Sequence, residues 1–278
     1  MAVAEPALRR RPDGGPSARA LVFTLLGEYV RWAGADTVPL RAVVSALGSL
    51  GVAEGATRRA VTRLVHEGWL AAEPVGRRTR LRLTPRMVRL LRRWTERLVR
   101  AVEKTPWDGE WQMLLLRPVE QAPQHGWLAE RLEFEGFGPL GRGVWIAADP
   151  GGVDAVRELL GDLGLLGHAT FLTSRIRSAE EERSLIEQAW DLAAIRPLFT
   201  GFIDRFAGVE PGTDEEAFVA RLRMVHAWRL VFDRDPRLPV VFLPDDWPGE
   251  EATRLFIDNW LSWYEPADRW WTRLNADA

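Results

Sequence analysis

The stretch that decides the fold of the N-terminal third is residues 54–83, which read EGATRRAVTRLVHEGWLAAEPVGRRTRLRL. Apolar residues recur at helical spacing in its first half, which predicts a helix over about residues 54–66 that Gly68 ends. Leucine and arginine alternate over residues 80–83, behind a turn at Gly76-Arg77-Arg78, as is typical of a β-hairpin with a basic tip.

The polar side of the predicted helix is basic. Four residues lie opposite its apolar positions, in two pairs with i, i+4 spacing. They are Arg58, Arg59, Thr62 and Arg63. Guanidinium and hydroxyl groups on one helix face suit the phosphates and guanine edges of a DNA major groove. We therefore predict that this helix contacts double-stranded DNA.

Two further helices are predicted before this stretch. Apolar periodicity predicts a first helix over about residues 18–32, with Ser17 as its N-cap, and a short second helix that begins near Pro39. A long basic helix over about residues 85–104 follows the hairpin. We expect residues 18–104 to form a winged helix-turn-helix with a connector helix.

The hairpin is then the wing of this domain. Arg77 and Arg78 lie at its tip, where we expect them to follow the sugar–phosphate backbone. Any single basic element has a simpler interpretation, a solvated arginine surface. Three helices and a basic hairpin in this order and at these short spacings are more specific, and they favour DNA binding.

Charge is distributed unevenly along the chain. Residues 1–104 contain 20 basic and 9 acidic residues, a net charge of +11, whereas residues 105–278 contain 17 basic and 30 acidic residues, a net charge of −13. This asymmetry indicates that the first third meets a polyanion. Residues 1–17, which include three consecutive arginines, are predicted to be a disordered basic arm.

Composition excludes several kinds of site. The chain has no cysteine, which excludes a disulfide, a thiol nucleophile and a Cys-ligated metal. No two of its four histidines share a metal-ligand spacing on one element, so we expect no metal site. We also expect no cofactor and no catalytic residue. The sequence has neither an apolar run of the roughly 18 residues that cross a bilayer nor the apolar segment of a signal peptide. We therefore expect a cytoplasmic protein. Since the basic helix and hairpin favour DNA binding, we also expect that the protein is not an enzyme.

The middle of the chain predicts a second domain over residues 105–178. Strand, helix, strand, helix and strand follow one another in the order of a ferredoxin-like fold. A run of glycines over residues 136–143 lies before a strand instead of after one, which is the wrong order for a dinucleotide-binding loop. We interpret these glycines as turns.

Residues 179–278 are predicted to form a helical domain, which makes the whole chain α+β. Three long amphipathic segments are predicted, over residues 181–206, 214–232 and 248–274. Asp245 and Asp246 precede the third segment, and we interpret them as capping residues. His226 and Arg229 lie one helical turn apart. They form either a core histidine with a hydrogen-bonding partner or a polar pair in an effector pocket.

Several motifs along the chain resemble those of the PaaX family of bacterial transcriptional regulators. They include residues 21–30 (LVFTLLGEYV), 63–70 (RLVHEGWL), 107–111 (WDGEW), 136–140 (GFGPL) and 189–192 (AWDL). The resemblance covers nearly the whole chain. It implies a winged-helix domain, a middle domain similar to the Cas2 fold and a helical C-terminal domain.

The resemblance also implies a function. The family represses aromatic-acid catabolism and senses phenylacetyl-CoA, so we expect a homodimeric repressor on an inverted-repeat operator, released by an acyl-CoA effector. We take Trp190, which lies in one of the matching motifs, together with His226 and Arg229 as candidate effector-binding residues.

Two other functions are compatible with parts of the sequence. A Cas2-like middle domain suggests a metal-dependent nuclease, but such a site needs a carboxylate at the end of its first strand. Here Leu114-Leu115-Leu116 is followed by Arg117-Pro118. The third possibility is a protein-interaction adaptor whose winged helix binds another protein.

Overall fold

A computed structural model of the chain describes residues 16–31, 34–102, 107–117 and 125–276, which form a mixed α+β fold. The predicted basic arm lies outside the described residues, apart from its last two positions. Of the part that is described, no helix is long and apolar enough to cross a membrane.

Within the described residues, the N-terminal part contains four α-helices and three strands. The helices are α1 (Ala18–Leu25), α2 (Leu40–Ser49), α3 (Glu54–His66) and α4 (Pro85–Val102), and the strands are β1 (Thr37–Pro39), β2 (Leu70–Val75) and β3 (Arg78–Leu83). The sheet is antiparallel with the order β1-β3-β2. The helix predicted over residues 54–66 and the hairpin are present. Strand β1 was not predicted, because three residues are too few to show an alternating pattern.

The first predicted helix differs from the expectation. The Ser17 side chain accepts a hydrogen bond from the backbone N–H of Ala20 and caps α1, as predicted. The α-helix ends at Leu25, however, and a π-helical segment, Leu26–Arg31, continues it. Tyr29 and Val30 remain buried there, so the apolar stripe continues through the wider turn.

The middle part is a four-stranded antiparallel sheet with two helices. Its elements are β4 (Trp111–Leu116), α5 (His125–Phe134), β5 (Gly138–Gly141), β6 (Val144–Ala147), α6 (Val153–Asp162) and β7 (Ala169–Ser174). The strand order β5-β6-β4-β7 confirms the ferredoxin-like prediction. The interpretation of the glycines as turns holds for Gly136 and Gly143 but was wrong for Gly138 and Gly141, which lie in β5, a strand that pairs with β6. Arg142 and Gly143 form the turn between the two strands, both with positive φ.

The C-terminal part is helical, as predicted. It contains α7 (Ala179–Ala189), α8 (Leu192–Phe206), α9 (Asp214–Phe232), α10 (Gly249–Ser262) and α11 (Tyr264–Ala276). The first and third predicted segments are each broken into two helices. Asp191 stands at the first break, where its Oδ1 accepts a hydrogen bond from the backbone N–H of Ala194 and starts α8.

Asp245 and Asp246 are not capping residues, and that interpretation was wrong. Helix α10 begins at Gly249, and its N-cap position, Pro248, makes no side-chain capping bond. Asp246 instead pairs with Arg196 of α8, with 2.7 Å between Asp246 Oδ1 and Arg196 Nη2. The pair ties the loop before α10 to a neighbouring helix.

The N-terminal and C-terminal helices share one hydrophobic core. The Tyr29 ring lies 4.9 Å from the Phe218 ring and 5.5 Å from the Trp271 ring, measured between centroids. Buried residues of α1, α2 and α3 belong to the same cluster as those of α8, α9 and α11, whereas the middle sheet has separate clusters. The division into three domains stays a prediction, but the first and third lie directly against each other.

Candidate nucleic-acid interface

The outer face of α3 carries the side chains that the sequence predicted. Its inner face is buried through Thr57, Ala60, Val61 and Leu64. The four predicted residues, Arg58, Arg59, Thr62 and Arg63, are all exposed. The structure therefore brings them together on one solvent-facing side of a single helix.

Two of these four side chains have partners within the helix. Arg58 Nε donates to Glu54 Oε1 at 2.7 Å, and the two side chains are 52% and 62% exposed. Thr62 Oγ1 donates to the backbone carbonyl of Arg58 at 3.0 Å. An exposed i, i+4 ion pair contributes only about 0.3–0.5 kcal/mol, so a phosphate or a base edge can replace Glu54 at little cost.

Gly55, near the start of α3, lies beside the end of the Arg59 side chain. A Cβ atom on Gly55 would lie 3.3 Å from Arg59 Nη1, closer than ordinary van der Waals contact. Glycine lowers helix stability by up to about 1 kcal/mol relative to alanine. In return, it leaves the Arg59 guanidinium room along the helix surface.

The hairpin tip presents two exposed arginines. Gly76 and Arg77 form a two-residue loop between the paired residues Val75 and Arg78. Gly76 has φ +61°, as the first loop position of a type II′ turn requires. Arg77 and Arg78 are both exposed, so their guanidinium groups can reach a surface beyond the hairpin.

The arginines within the hairpin strand are held by the sheet itself. Arg82 donates to the Glu73 carboxylate at 2.5 and 3.0 Å and to Asp36 Oδ2 at 2.8 Å. The Arg82 side chain hydrogen-bonds to Glu73 and so lowers the pKa of that carboxyl. Arg80 Nη2 donates to Thr37 Oγ1 at 3.1 Å. The basic tip, more than the strand, is therefore available to a partner.

His66 is a further residue of the outer face of α3 that was not among the predicted site residues. His66 is the last residue of α3 and is exposed. It follows Thr62 by four positions, which places it on the same helix face. The four-residue spacing from Thr62 could have identified His66 as a candidate DNA-binding residue.

His226 is a buried residue of α9 that faces α1. It is 6% exposed, and its Nδ1 lies 3.1 Å from Thr24 Oγ1. Burial, followed by the nearby charges of Arg229 and Arg205, lowers the pKa of His226 to about 4. The imidazole is therefore neutral at physiological pH and stands in a hydrogen-bonded core position.

Arg229 is also directed at the N-terminal part of the chain. Its Nη1 donates to Thr24 Oγ1 at 3.3 Å, and its guanidinium carbon lies 4.1 Å from the centroid of the Trp94 ring on α4. His226 and Arg229 thus meet at one hydroxyl of α1, where they connect the C-terminal helices to the unit that carries α3.

Trp190 lies at a different place in the fold. Its ring stacks 6.3 Å from that of Trp111 on β4. A Cβ atom on Gly138 would lie 2.5 Å from Trp190 Cε2, so this glycine admits the indole against β5. The three predicted effector-binding residues are therefore not brought together: two lie at α1 and one lies on the middle sheet.

Three family models match successive parts of the chain. They are described as PaaX-like protein (residues 17–87), PaaX protein central Cas2-like domain (residues 104–186) and PaaX-like protein C-terminal domain (residues 190–273). Together they cover most of the sequence in order.

Two individual proteins are also similar to this chain. The transcriptional repressor PaaX of Escherichia coli (strain K12) is 29% identical over 253 residues, which cover 87% of this chain and 79% of the relative. The solved structure of an uncharacterized protein from Mycobacterium tuberculosis matches with a TM-score of 0.59 and 24% identity, covering 91% of this chain and 98% of that one. The second similarity supports the fold alone.

Proposed function

Because the chain belongs to the PaaX family of transcriptional regulators, we propose that it is a repressor that binds double-stranded DNA through an N-terminal winged helix-turn-helix. The observation that carries the proposal is the exposed basic face of α3, followed directly by the exposed basic tip of a hairpin. In a helix-turn-helix, a compact three-helix unit presents the exposed face of its recognition helix to the major groove of DNA, and another helix precedes the recognition helix.

In this proposal, α3 enters the major groove. The side chains of Arg59 and Arg63 form no ion pair or hydrogen bond with any described residue, so their guanidinium groups are available to guanine O6 and N7. Arg58 exchanges Glu54 for DNA, and Thr62 adds a short polar contact. Each guanidinium that makes a bidentate contact with guanine contributes about 1–3 kcal/mol of discrimination against other bases.

The hairpin tip supplies affinity without sequence preference. Arg77 and Arg78 contact phosphates, and each phosphate that is neutralised releases condensed counterions. Contacts of this kind set the register of the protein on the duplex, while base-edge contacts from α3 set the sequence.

We further propose that the repressor is a homodimer on an inverted-repeat operator and that a CoA thioester such as phenylacetyl-CoA releases it. The regulated operon would then serve the catabolism of an aromatic or acyl-CoA compound. These points are supported by the family resemblance. Trp190, His226 and Arg229 remain candidate effector-binding residues. Because Trp190 lies on the middle sheet and the other two lie at α1, at most one of these two locations is the effector site.

Selection of DNA by the full chain tests the DNA-binding proposal. The protein is incubated with a pool of random duplexes, and the recovered sequences are aligned and titrated in a mobility-shift assay. We expect an inverted repeat whose half-sites lie about 10 base pairs, or a multiple of this, apart. Recovery of no common sequence, with unchanged binding of all duplexes, would contradict a sequence-reading α3.

A thermal-shift screen of CoA thioesters tests the effector. A ligand that binds only the native state raises the apparent melting temperature, by an amount that grows with its concentration. The thioester that stabilises the chain must also weaken the operator complex in the mobility-shift assay. Stabilisation without release would separate ligand binding from control of DNA binding.

A further inference from the structure

A groove with a volume of about 720 Å³ runs between α2 and the C-terminal helices. Ser49, the last residue of α2, forms part of one side. The end of α8, the loop that follows it and the first half of α9 form the rest. Small-molecule sites in proteins are concave and commonly enclose about 300–1,000 Å³, so the groove has the size of a ligand site.

The floor of the groove is apolar. Phe206, Val209, Val219 and Ala220 line it. Phe206 is buried and belongs to the core that the N-terminal and C-terminal helices share, while the other three are partly exposed. The floor can therefore cover the apolar part of a ligand.

Two arginines stand in the same groove. Arg205 and Arg223 are exposed, and neither side chain forms an ion pair or a hydrogen bond with a residue that the structure describes. The Arg205 guanidinium carbon lies 5.3 Å from the centroid of the Phe206 ring, which holds its charge beside the apolar floor. Two such arginines can together hold one carboxylate or phosphate group.

The glutamates of the groove are mostly engaged by the protein. Glu216 Oε2 accepts hydrogen bonds from the backbone N–H groups of Gly212 and Thr213, at 2.9 and 3.0 Å. Glu215 Oε1 accepts a hydrogen bond from Ser49 Oγ at 2.5 Å. Glu210 is exposed and extends the acidic side of the groove. The arginines are thus the charged groups with the most unused hydrogen-bonding capacity.

We propose that this groove binds a small organic anion, with a carboxylate or phosphate between Arg205 and Arg223 and an apolar body on Phe206, Val209 and Val219. The chemistry of the groove identifies the ligand as an amphipathic anion. A neutral ligand of the same shape would leave both guanidinium groups without a partner.

A ligand in the groove would touch both ends of the chain. Ser49 belongs to α2, which packs against α3 and α11, and its hydroxyl is already bonded to Glu215 of α9. A ligand that binds one arrangement of α2 and α9 more tightly than another shifts the population toward it. This consequence rests on the proposed function, since it requires that the chain binds DNA and that a ligand in the groove controls this binding.

The experiment uses the fluorescent anion anilinonaphthalene sulfonate and its neutral relative N-phenylnaphthylamine, each titrated into the full chain without DNA. The variants are Arg205→Ala/Arg223→Ala and, as a matched control, Arg254→Ala, which removes an exposed arginine of α10 outside the groove. We expect saturable binding of the anion by the wild type and the control, and at least a tenfold weaker affinity in the double variant. Affinity for the neutral dye should change less than threefold.

Displacement distinguishes the two anionic groups. Phenylacetate and phenyl phosphate are added to the dye complex, with phenylacetamide as the neutral competitor, and displacement by either acid but not by the amide supports the proposal. Equal anion affinity in the wild type and the double variant would overturn it, as would the absence of saturable binding. Operator binding by the double variant without ligand should remain intact, so a failure of the groove is distinct from a failure of DNA binding.

Discussion

The Glu28 carboxylate and the Arg221 guanidinium form a buried ion pair that joins the N-terminal part of the chain to helix α9. Arg221 Nε donates to Glu28 Oε1 at 2.9 Å, and the two side chains are 1% and 9% exposed. Trp260 Nε1 of α10 donates to the same oxygen at 2.8 Å, and the Trp260 carbonyl accepts a hydrogen bond from Arg221 Nη1. Three segments that are distant in sequence thus meet at one carboxylate.

The first prediction is that Arg221→Met lowers the free energy of unfolding by about 3–5 kcal/mol, because it leaves a buried carboxylate without its cation. Urea denaturation of the full chain measures the change. Arg223→Met is the control, since Arg223 lies on the same helix but is exposed, and it should change stability by no more than about 0.5 kcal/mol.

A double substitution checks the reason for this loss. Glu28→Leu/Arg221→Met removes both charges and should recover much of the stability, as apolar replacement of buried ion pairs often does. Equal stabilities of Arg221→Met and the control would show that the pair does not join the two parts energetically.

Loss of one guanidinium from α3 should weaken binding to the selected operator. We expect Arg63→Ala to cost about 1–3 kcal/mol, or roughly 5- to 150-fold in affinity, if the side chain contacts a base edge. A mobility-shift titration measures it, with Arg254→Ala as the exposed control. If Arg59→Ala and Arg63→Ala both bind the operator with wild-type affinity, α3 is not the helix that contacts the base edges.

The hairpin tip should contribute to the salt dependence of DNA binding. A phosphate contact contributes about 0.9 to the slope of log K against log salt concentration. Arg77→Ala should therefore reduce the magnitude of that slope by about 0.9 on the operator and on unrelated duplexes alike. A slope identical to that of the wild type would show that Arg77 does not contact a phosphate.

Gly138 should not tolerate a methyl group. The Cβ atom of Gly138→Ala would lie 2.5 Å from Trp190 Cε2 and 2.8 Å from the Cβ of Ala189. Such overpacking costs about 1–3 kcal/mol of unfolding free energy, measured by urea denaturation. Gly161 of α6 has no neighbouring atom within 4 Å of the same added atom, so Gly161→Ala should be neutral or stabilising by up to about 1 kcal/mol. The reverse order of the two variants would refute the contact.

Acid should destabilise the chain partly through His226. Its folded-state pKa is about 4, below the ordinary value of 6.5, so the unfolded state takes up the proton first as pH falls. The neutral imidazole's contribution to stability is present above pH 6.5 and is lost progressively toward pH 4, by about 2 kcal/mol between pH 7.5 and 5. His226→Gln should lose less stability over that range in urea denaturation. An identical pH dependence in the variant and the wild type would contradict a buried neutral histidine.

Local patterns predicted the individual elements well. The bounds of α9 agree with the predicted segment 214–232, and the structure shows why the helix starts there: Thr213 and Glu216 form a capping box. The helix and hairpin of residues 54–83 were also predicted, as was the exposure of the four α3 side chains. The contact of those side chains with DNA stays a prediction.

Breaks and short strands were harder to predict. Asp191 interrupts an apolar periodicity that continues on both sides of it, so the segment looked like one helix. Strands β1 and β5 contain prolines or glycines, which disfavour strands in general, and they form where they pair with β3 and β6.

The contact between the two ends of the chain could not be predicted from periodicity. An apolar stripe such as that of α1 shows that a helix is covered on one side but does not identify the helix that covers it. The same limit applies to the candidate effector residues. Trp190 and His226 lie in the same predicted domain, yet one packs on the middle sheet and the other on α1.

The core shared by the first and last helices has a consequence for how the protein is made. The ribosome releases α1 and the segment after it long before it synthesises α9 and α11. Until then, the ring of Tyr29 lacks its contacts with Phe218 and Trp271. Domains that are complete in themselves fold as they emerge. This N-terminal unit cannot complete its core until α9 and α11 have been synthesised, so we expect a chain that stops before α9 to leave apolar surface of α1 uncovered.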